Sequence, residues 1–116
     1  MTQHSGLTLE RWREFSEVQR LLMIGNEMQR ARSCLAAAER ESLQRCYERV
    51  LRLTDLTASA TGRDGMRKEL LRWRDLIAAL FLATAADQEA HEQALRQLLL
   101  LSPESARQIP LLGLAS

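Results

Sequence analysis

The sequence predicts an all-α protein, an antiparallel four-helix bundle made of two helical hairpins, with a short N-terminal helical turn and an irregular C-terminal tail. Two observations carry the prediction. Leu and Ala supply thirty-seven residues against five from Val and Ile, a balance that suits helices and not strands. Apolar residues also recur at spacings of three, four and seven along most of the chain, which is the helical period. Helices joined by short connections can bury such stripes only against their neighbours, hence the antiparallel bundle. A length of 116 residues suits one domain and leaves no room for two. Residues 1–7 and 108–116 read as flexible or docked on a partner.

The elements follow in order. Thr8 caps a short first segment, with Leu7 and Trp12 placed as a hydrophobic staple, and Ser16-Glu17-Val18-Gln19 reads as a capping box for a second start. From there Val18, Leu21, Leu22, Gly25, Met28 and Leu35 form one apolar stripe, in which Gly25 would let another helix approach closely. A second stripe, Leu43, Cys46, Tyr47, Val50, Leu53, Thr54 and Thr57, requires the chain to reverse around Ala38 to Glu41, where no Gly or Pro marks a turn. Ser59 to Gly65, with two glycines among small polar residues, reads as a long loop. After it Met66, Leu70, Trp73, Ile77, Leu80 and Thr84 keep a heptad spacing, while Leu71, Leu76, Phe81 and Leu82 widen the apolar surface, so this helix is expected to be the most buried. Asp87 caps a fourth helix with Ala90, Ala94, Leu95, Leu98 and Leu101 inward; Ser102-Pro103 ends it, and Pro110 ends regular structure.

Composition excludes several classes. A net charge of +1 lacks the basic excess of a typical nucleic-acid or anionic-membrane binder. The most apolar stretch, Leu76 to Ala86, is about half the ~20 residues that a membrane-spanning helix needs, and no leader pattern opens the chain, so the expected compartment is the cytoplasm. Neither His4 nor His91 lies in an HExxH or ExxH pattern, so no metal is expected; His91 reads as a rim residue pairing with Asp87 one turn earlier. The Arg-then-His motif of HEPN-type ribonucleases is absent, as are phosphate loops, a GxSxG elbow and a reactive-cysteine signature, so the reading is no enzyme and no cofactor. Cys34 and Cys46 sit six residues either side of Arg40; a hairpin turning there places them level on neighbouring helices as a reduced core pair.

Charged residues set among apolar ones are more informative. Glu27, Arg30, Asp55, Arg72 and Asp75 are expected to form an inter-helix polar network, because buried charges are costly unless paired. Reversal of the chain near residues 59–65 brings Arg72 to Asp55 as its first expected partner, with Arg30 the second. The stripe Arg45, Arg49 and Arg52 is diluted by Glu41 and Glu48 and reads chiefly as a solvated face.

Three blocks carry a resemblance: Gly25-Asn26-Glu27-x-x-Arg30-Ala31, then Cys46-Tyr47-Glu48-Arg49-Val50-Leu51-x-Leu53-x-Asp55-Leu56-Thr57, then Glu69-Leu70-Leu71-Arg72-Trp73-Arg74-Asp75-Leu76. Over residues 12–82 the chain resembles a family of small uncharacterised bacterial all-helical proteins, in which the third block usually reads Leu-Arg-Glu where this chain has Trp73-Arg74-Asp75. The resemblance implies the helical hairpin and identifies no function. Arg30-Ala31-Arg32 near the end of one helix, followed by a turn and another long helix, is more loosely similar to flagellin export chaperones.

The apolar surplus points to function. Leu98, Leu99, Leu100 and Leu101 surround the fourth helix, and Leu111 and Leu112 add an apolar tail; a short bundle cannot bury them all, and such patches mark interaction sites. The expected function is non-enzymatic protein–protein interaction, with self-association as a homodimer. The alternatives are a nucleic-acid-associated regulator using the Arg-rich face and an export-chaperone-like binder of another protein.

Overall fold

Local side-chain chemistry sets the first helix starts. In the computed structural model, which describes residues 7–114, Thr8 accepts from the backbone N–H of Arg11 at 3.3 Å and opens α1 (Leu9–Arg13). Ser16 opens α2 (Glu17–Ala36) with a full capping box: Gln19 N–H donates to the Ser16 hydroxyl at 3.1 Å, and Ser16 N–H donates to the Gln19 amide oxygen at 2.8 Å. Between them the Arg20 guanidinium, itself buried, donates to the carbonyls of Trp12 and Phe15 and satisfies the end of α1. The fully buried Trp12 ties α1 to the third helix through its indole N–H, which donates to Thr57 Oγ1 at 2.8 Å.

The reversal after α2 uses a non-glycine residue in a position that favours glycine. Ala38 has φ +56°, Glu39 N–H reaches back to Cys34 O at 2.9 Å, and Ala38 N–H reaches Leu35 O at 3.2 Å. This is a Schellman closure, and it explains how the chain turns where neither Gly nor Pro appears. α3 (Arg40–Ala60) then runs back along α2. The expected long loop shrinks to residues 61–63 before α4 (Asp64–Leu82). The cause is Arg67, whose guanidinium donates to Ala58 O at 3.0 Å and Thr61 O at 2.8 Å, so the last turn of α3 is capped from across the connection. Asp87 caps α5 (Gln88–Leu99) as expected, accepting from Ala90 N–H at 3.0 Å.

The C-terminal segment departs from the expected irregular tail. It forms α6 (Pro103–Ala106) and α7 (Gln108–Leu111), Pro110 lies inside α7, and Ile109 and Leu114 are buried. Arg32 of α2 holds this segment by donating to Leu112 O at 2.7 Å while its Nε donates to Glu92. Residues 1–6, 115 and 116 lie outside the described residues, and the expectations for those termini fall there.

Among the described residues every regular element is helical. The packing is among α2, α3, α4 and α5: α2 lies against α3 and α5, and α4 closes the set by lying against α3 and α5. Arg67 meets Ala58 while Arg74 meets Asp55, so α3 and α4 run in opposite senses. The core holds Leu21, Ile24, Met28, Val50, Leu53, Leu70, Ile77, Leu95 and Leu98, all fully buried.

α4 is not the most buried helix. Only Met66, Leu70, Trp73 and Ile77 of its residues are buried, and Leu71, Leu76 and Leu82 face outward. Gly25 also differs from expectation, since a Cβ there would meet Leu99 at an ordinary 3.6 Å and no close helix approach requires the glycine.

The left-handed Ala38 yields the first prediction. Replacing Ala38 by Gly removes a Cβ penalty of about 1 kcal/mol, partly offset by unfolded-state entropy, so Ala38→Gly raises stability by up to about 1 kcal/mol in urea unfolding. Destabilisation would mean that the turn does not hold this conformation in solution.

Candidate functional site

The central polar cluster grows from one residue on α2. Glu27 follows Ile24 by three residues and precedes Ala31 by four, both fully buried, so helical spacing carries its carboxylate into the core face. Its exposure is 2%. Arg49 of α3 stands at the matching place, three residues after Cys46 and four before Leu53, and its Nε donates to Glu27 Oε2 at 3.0 Å. Arg30 adds a longer contact to Oε1 at 3.4 Å from a half-exposed side chain. Burial opposes the charge on Arg49 most strongly, yet its hydrogen bond and charge pairing with Glu27 prevail, and its pKa is raised.

The second guanidinium nitrogen of Arg49 donates to Cys46 Sγ at 3.3 Å. Cys34 of α2 and Cys46 are both free thiols, and Cys34 is near enough to act on the Cys46 thiol. Burial above all, then Cys34, pushes the Cys46 thiol up to about 11 despite Arg49. Cys46 is therefore held as a neutral thiol near pH 7.

One residue along α3, Tyr47 turns to α5. Its hydroxyl lies 2.7 Å from His91 Nδ1, and His91 Nε2 lies 2.8 Å from Met28 O. A carbonyl only accepts, so Nε2 carries the proton, Nδ1 is the acceptor, and the Tyr47 hydroxyl donates to it. The rim reading of His91 is thus corrected: His91 is fully buried, because it stands three, four and seven residues before Ala94, Leu95 and Leu98 and shares their inward face. Burial pushes its pKa below the ordinary value and raises that of Tyr47.

The expected network therefore divides. Glu27 and Arg30 belong to the central cluster with Arg49, which the sequence placed on a solvated face. Asp55 pairs with neither Arg72 nor Arg30; it accepts from Arg74 Nε at 2.6 Å in an exposed pair. Arg72 bonds Glu69 at 3.2 Å on its own helix, and Asp75 is exposed. Two residues along a helix turn a side chain through about 200°, so Arg74 shares the α3-facing side of α4 with Arg67, seven residues earlier, while Arg72 faces outward. The interface candidates divide as well. Leu98 and Leu99 are core residues, Leu101 and Leu112 pack half-buried against the core, and only Leu100 and Leu111 are exposed.

The outward apolar surface lies mainly on α4. Leu71 is 46%, Leu76 41% and Leu82 76% exposed. A shallow hollow of about 210 Å³ beside Leu76 and Leu80 continues between α4 and α5 toward Gln97. The hollow at the α2–α3 turn, lined by Cys34, Leu35 and Leu43, measures about 190 Å³. Both are below the ~300–1,000 Å³ common for small-molecule pockets.

No protein-family model matches the chain, and no curated protein or solved structure matches it either.

Two predictions follow from the cluster. Glu27→Ala leaves Arg49 largely buried without this carboxylate and is expected to cost about 3 kcal/mol, whereas Asp55→Ala breaks an exposed pair and is expected to cost under about 1 kcal/mol. Equal costs by urea unfolding would remove the distinction between the two pairs.

The second concerns pH. The unfolded chain protonates His91 near its ordinary value of about 6.5, while the folded chain resists, so the unfolded state binds more protons in this range. The contribution of His91 is fully present above about pH 6.5 and is lost as pH falls below it. Unfolding free energy should therefore fall between pH 7 and 5, and His91→Gln should flatten that fall; an unchanged slope in the variant would refute the buried neutral imidazole.

Proposed function

We propose that this chain is an antiparallel four-helix bundle that acts without catalysis, by binding protein, and that its partner is a second copy of itself. The observation that carries the reading is the outer face of α4, where Leu71, Leu76 and Leu82 stand exposed on a helix whose other face is already committed to the core. Leu71 stands on the α3 flank of α4 and Leu76 on the α5 flank, and exposed leucines that a core leaves unused are the surface that a partner of a soluble domain would cover. Homodimers are the commonest way for one such face to be covered, because a two-fold axis covers both copies at once.

Kinship with the small all-helical bacterial family over residues 12–82 and a cytoplasmic location belong to the same proposal. Among the described residues, no helix is long and apolar enough to cross a membrane. The nucleic-acid alternative has less support than the sequence alone gave it, because Arg49 of the Arg45/Arg49/Arg52 stripe is engaged by Glu27 and Cys46. An export-chaperone-like binder would use the same α4 face for a foreign helix.

Sedimentation velocity from tens to hundreds of micromolar tests the reading. A reversible monomer–dimer equilibrium is expected, and Leu82→Glu, at a site too exposed to matter for folding, should weaken it several-fold by placing a carboxylate in an apolar contact. A wild-type monomer throughout that range would overturn self-association. Salt-sensitive retention on DNA or RNA would favour the alternative, since phosphate binding weakens steeply with salt.

A further inference from the structure

We propose that Cys34 and Cys46 form a reversible disulfide between α2 and α3, with a low-molecular-weight disulfide as the oxidant and Cys34 as the thiol that reacts first. The proposal goes beyond self-association and uses none of the α4 surface.

The helix faces bring the two thiols together. Cys34 follows Glu27 by seven residues on α2, and Cys46 precedes Arg49 by three on α3. Each cysteine thus shares a face with one member of a pair that is in contact at 3.0 Å, and both lie on the turn side of that pair. Cys34 stands two residues before the end of α2 and Cys46 six residues into α3, a difference in height of about 6 Å. Side chains lean toward the N-terminus of their own helix, so Cys34 leans away from the turn and Cys46 toward it, which reduces that difference. Cys34 is accordingly near enough to act on the Cys46 thiol. The main chain fixes the outer position, because Cys34 O accepts from Glu39 N–H at 2.9 Å in the closure of the turn.

Access separates the roles of the two thiols. Cys46 is 1% exposed, whereas Cys34 is half-buried and lines the open hollow at the turn together with Ala38, Leu43 and Ala86. A reagent in solvent therefore meets Cys34 first. Burial holds Cys46 as a neutral thiol, so it does not compete for the reagent. Its surroundings suit the second step instead. The Arg49 guanidinium donates to Cys46 Sγ at 3.3 Å and is anchored by Glu27, so a fixed cation lies at the sulfur that must become anionic to close the bridge.

The exchange balances in two steps. Cys34, as its thiolate, attacks one sulfur of a small disulfide RSSR; the S–S bond of the reagent breaks, and RS⁻ leaves and takes up the proton that Cys34 released. Cys46, as its thiolate, then attacks the Cys34 sulfur of the mixed disulfide and expels a second RS⁻, which takes up the Cys46 proton. Two thiols are oxidised to one disulfide, and one RSSR is reduced to two RSH. Excess RSH runs the sequence backwards and opens the bridge. Oxidation closes a ring around residues 35–45 and pins the end of the hairpin where Ala38 reverses the chain.

Glutathione disulfide, added to the folded full chain without denaturant and followed by mass spectrometry, tests the proposal. The wild type should lose two hydrogen atoms and both titratable thiols, yield a peptide cross-linked between positions 34 and 46, and recover both thiols in excess reduced glutathione. Cys46→Ala should stop with one glutathione on Cys34. Cys34→Ala should react about tenfold more slowly than the wild type or less, because its remaining thiol is buried. Urea unfolding checks that both variants are folded, and the wild-type product is diagnostic without either of them. A wild type that keeps both thiols, one that stops at a mixed disulfide, or a bridge that forms only in urea would overturn the proposal. A folded Cys34→Ala chain that reacts as fast as the wild type would overturn the order of the steps and the proposal with it.

Discussion

A carboxylate on the inward face of α2 obliges the rest of the structure to supply a cation. Glu27 is held among apolar residues, and an unpaired charge there would cost several kcal/mol. Arg49 meets the need from α3, and in doing so fixes which face of α3 turns inward. Cys46 and Tyr47, the neighbours of that face, then have determined places: the thiol beside Cys34 and under the Arg49 guanidinium, the phenol toward α5. A purely apolar contact between α2 and α3 would tolerate rotation of either helix, whereas a charged hydrogen bond does not. The pair thus contributes more to the uniqueness of the packing than to its strength.

How much of this was legible in the sequence depended on the range of the interaction. Thr8, Ser16 and Asp87 cap their helices through bonds to residues three positions away, so local pattern was enough to identify them. The turn at Ala38 was placed only approximately, because alanine carries no signature of the left-handed conformation that it adopts. The connection after α3 was read too long because the residue that shortens it, Arg67, acts from the following helix. Arg49 and His91 were both assigned to the surface on residue type, although their spacing from Cys46 and Leu53, and from Ala94, Leu95 and Leu98, marked them as core positions. Periodicity carried the information that chemical character obscured.

The helices divide their apolar residues unequally. α2 and α3 commit most of theirs to the interior, α5 turns Leu95, Leu98 and Leu99 inward, and α4 retains leucines on both sides of its axis. A run of leucines is therefore a poor guide to exposure: adjacent Leu98 and Leu99 are both interior because α5 is contacted by α6 and α7 as well as by α2 and α4. The more dispersed Leu71, Leu76 and Leu82 are outside because α4 has its neighbours only behind it and at its flanks.

The Tyr47–His91–Met28 contact bears on where α5 comes to rest along its own length. Leucine packing is nearly indifferent to a slide of one helical turn, about 5.4 Å, since one leucine then takes the place of another. Only one height brings an imidazole between a hydroxyl that can give and a carbonyl that can take. The aromatic pair works as an index mark, a directional contact that distinguishes one setting of α5 from otherwise similar ones and stops the interior from behaving as a stack of interchangeable leucines.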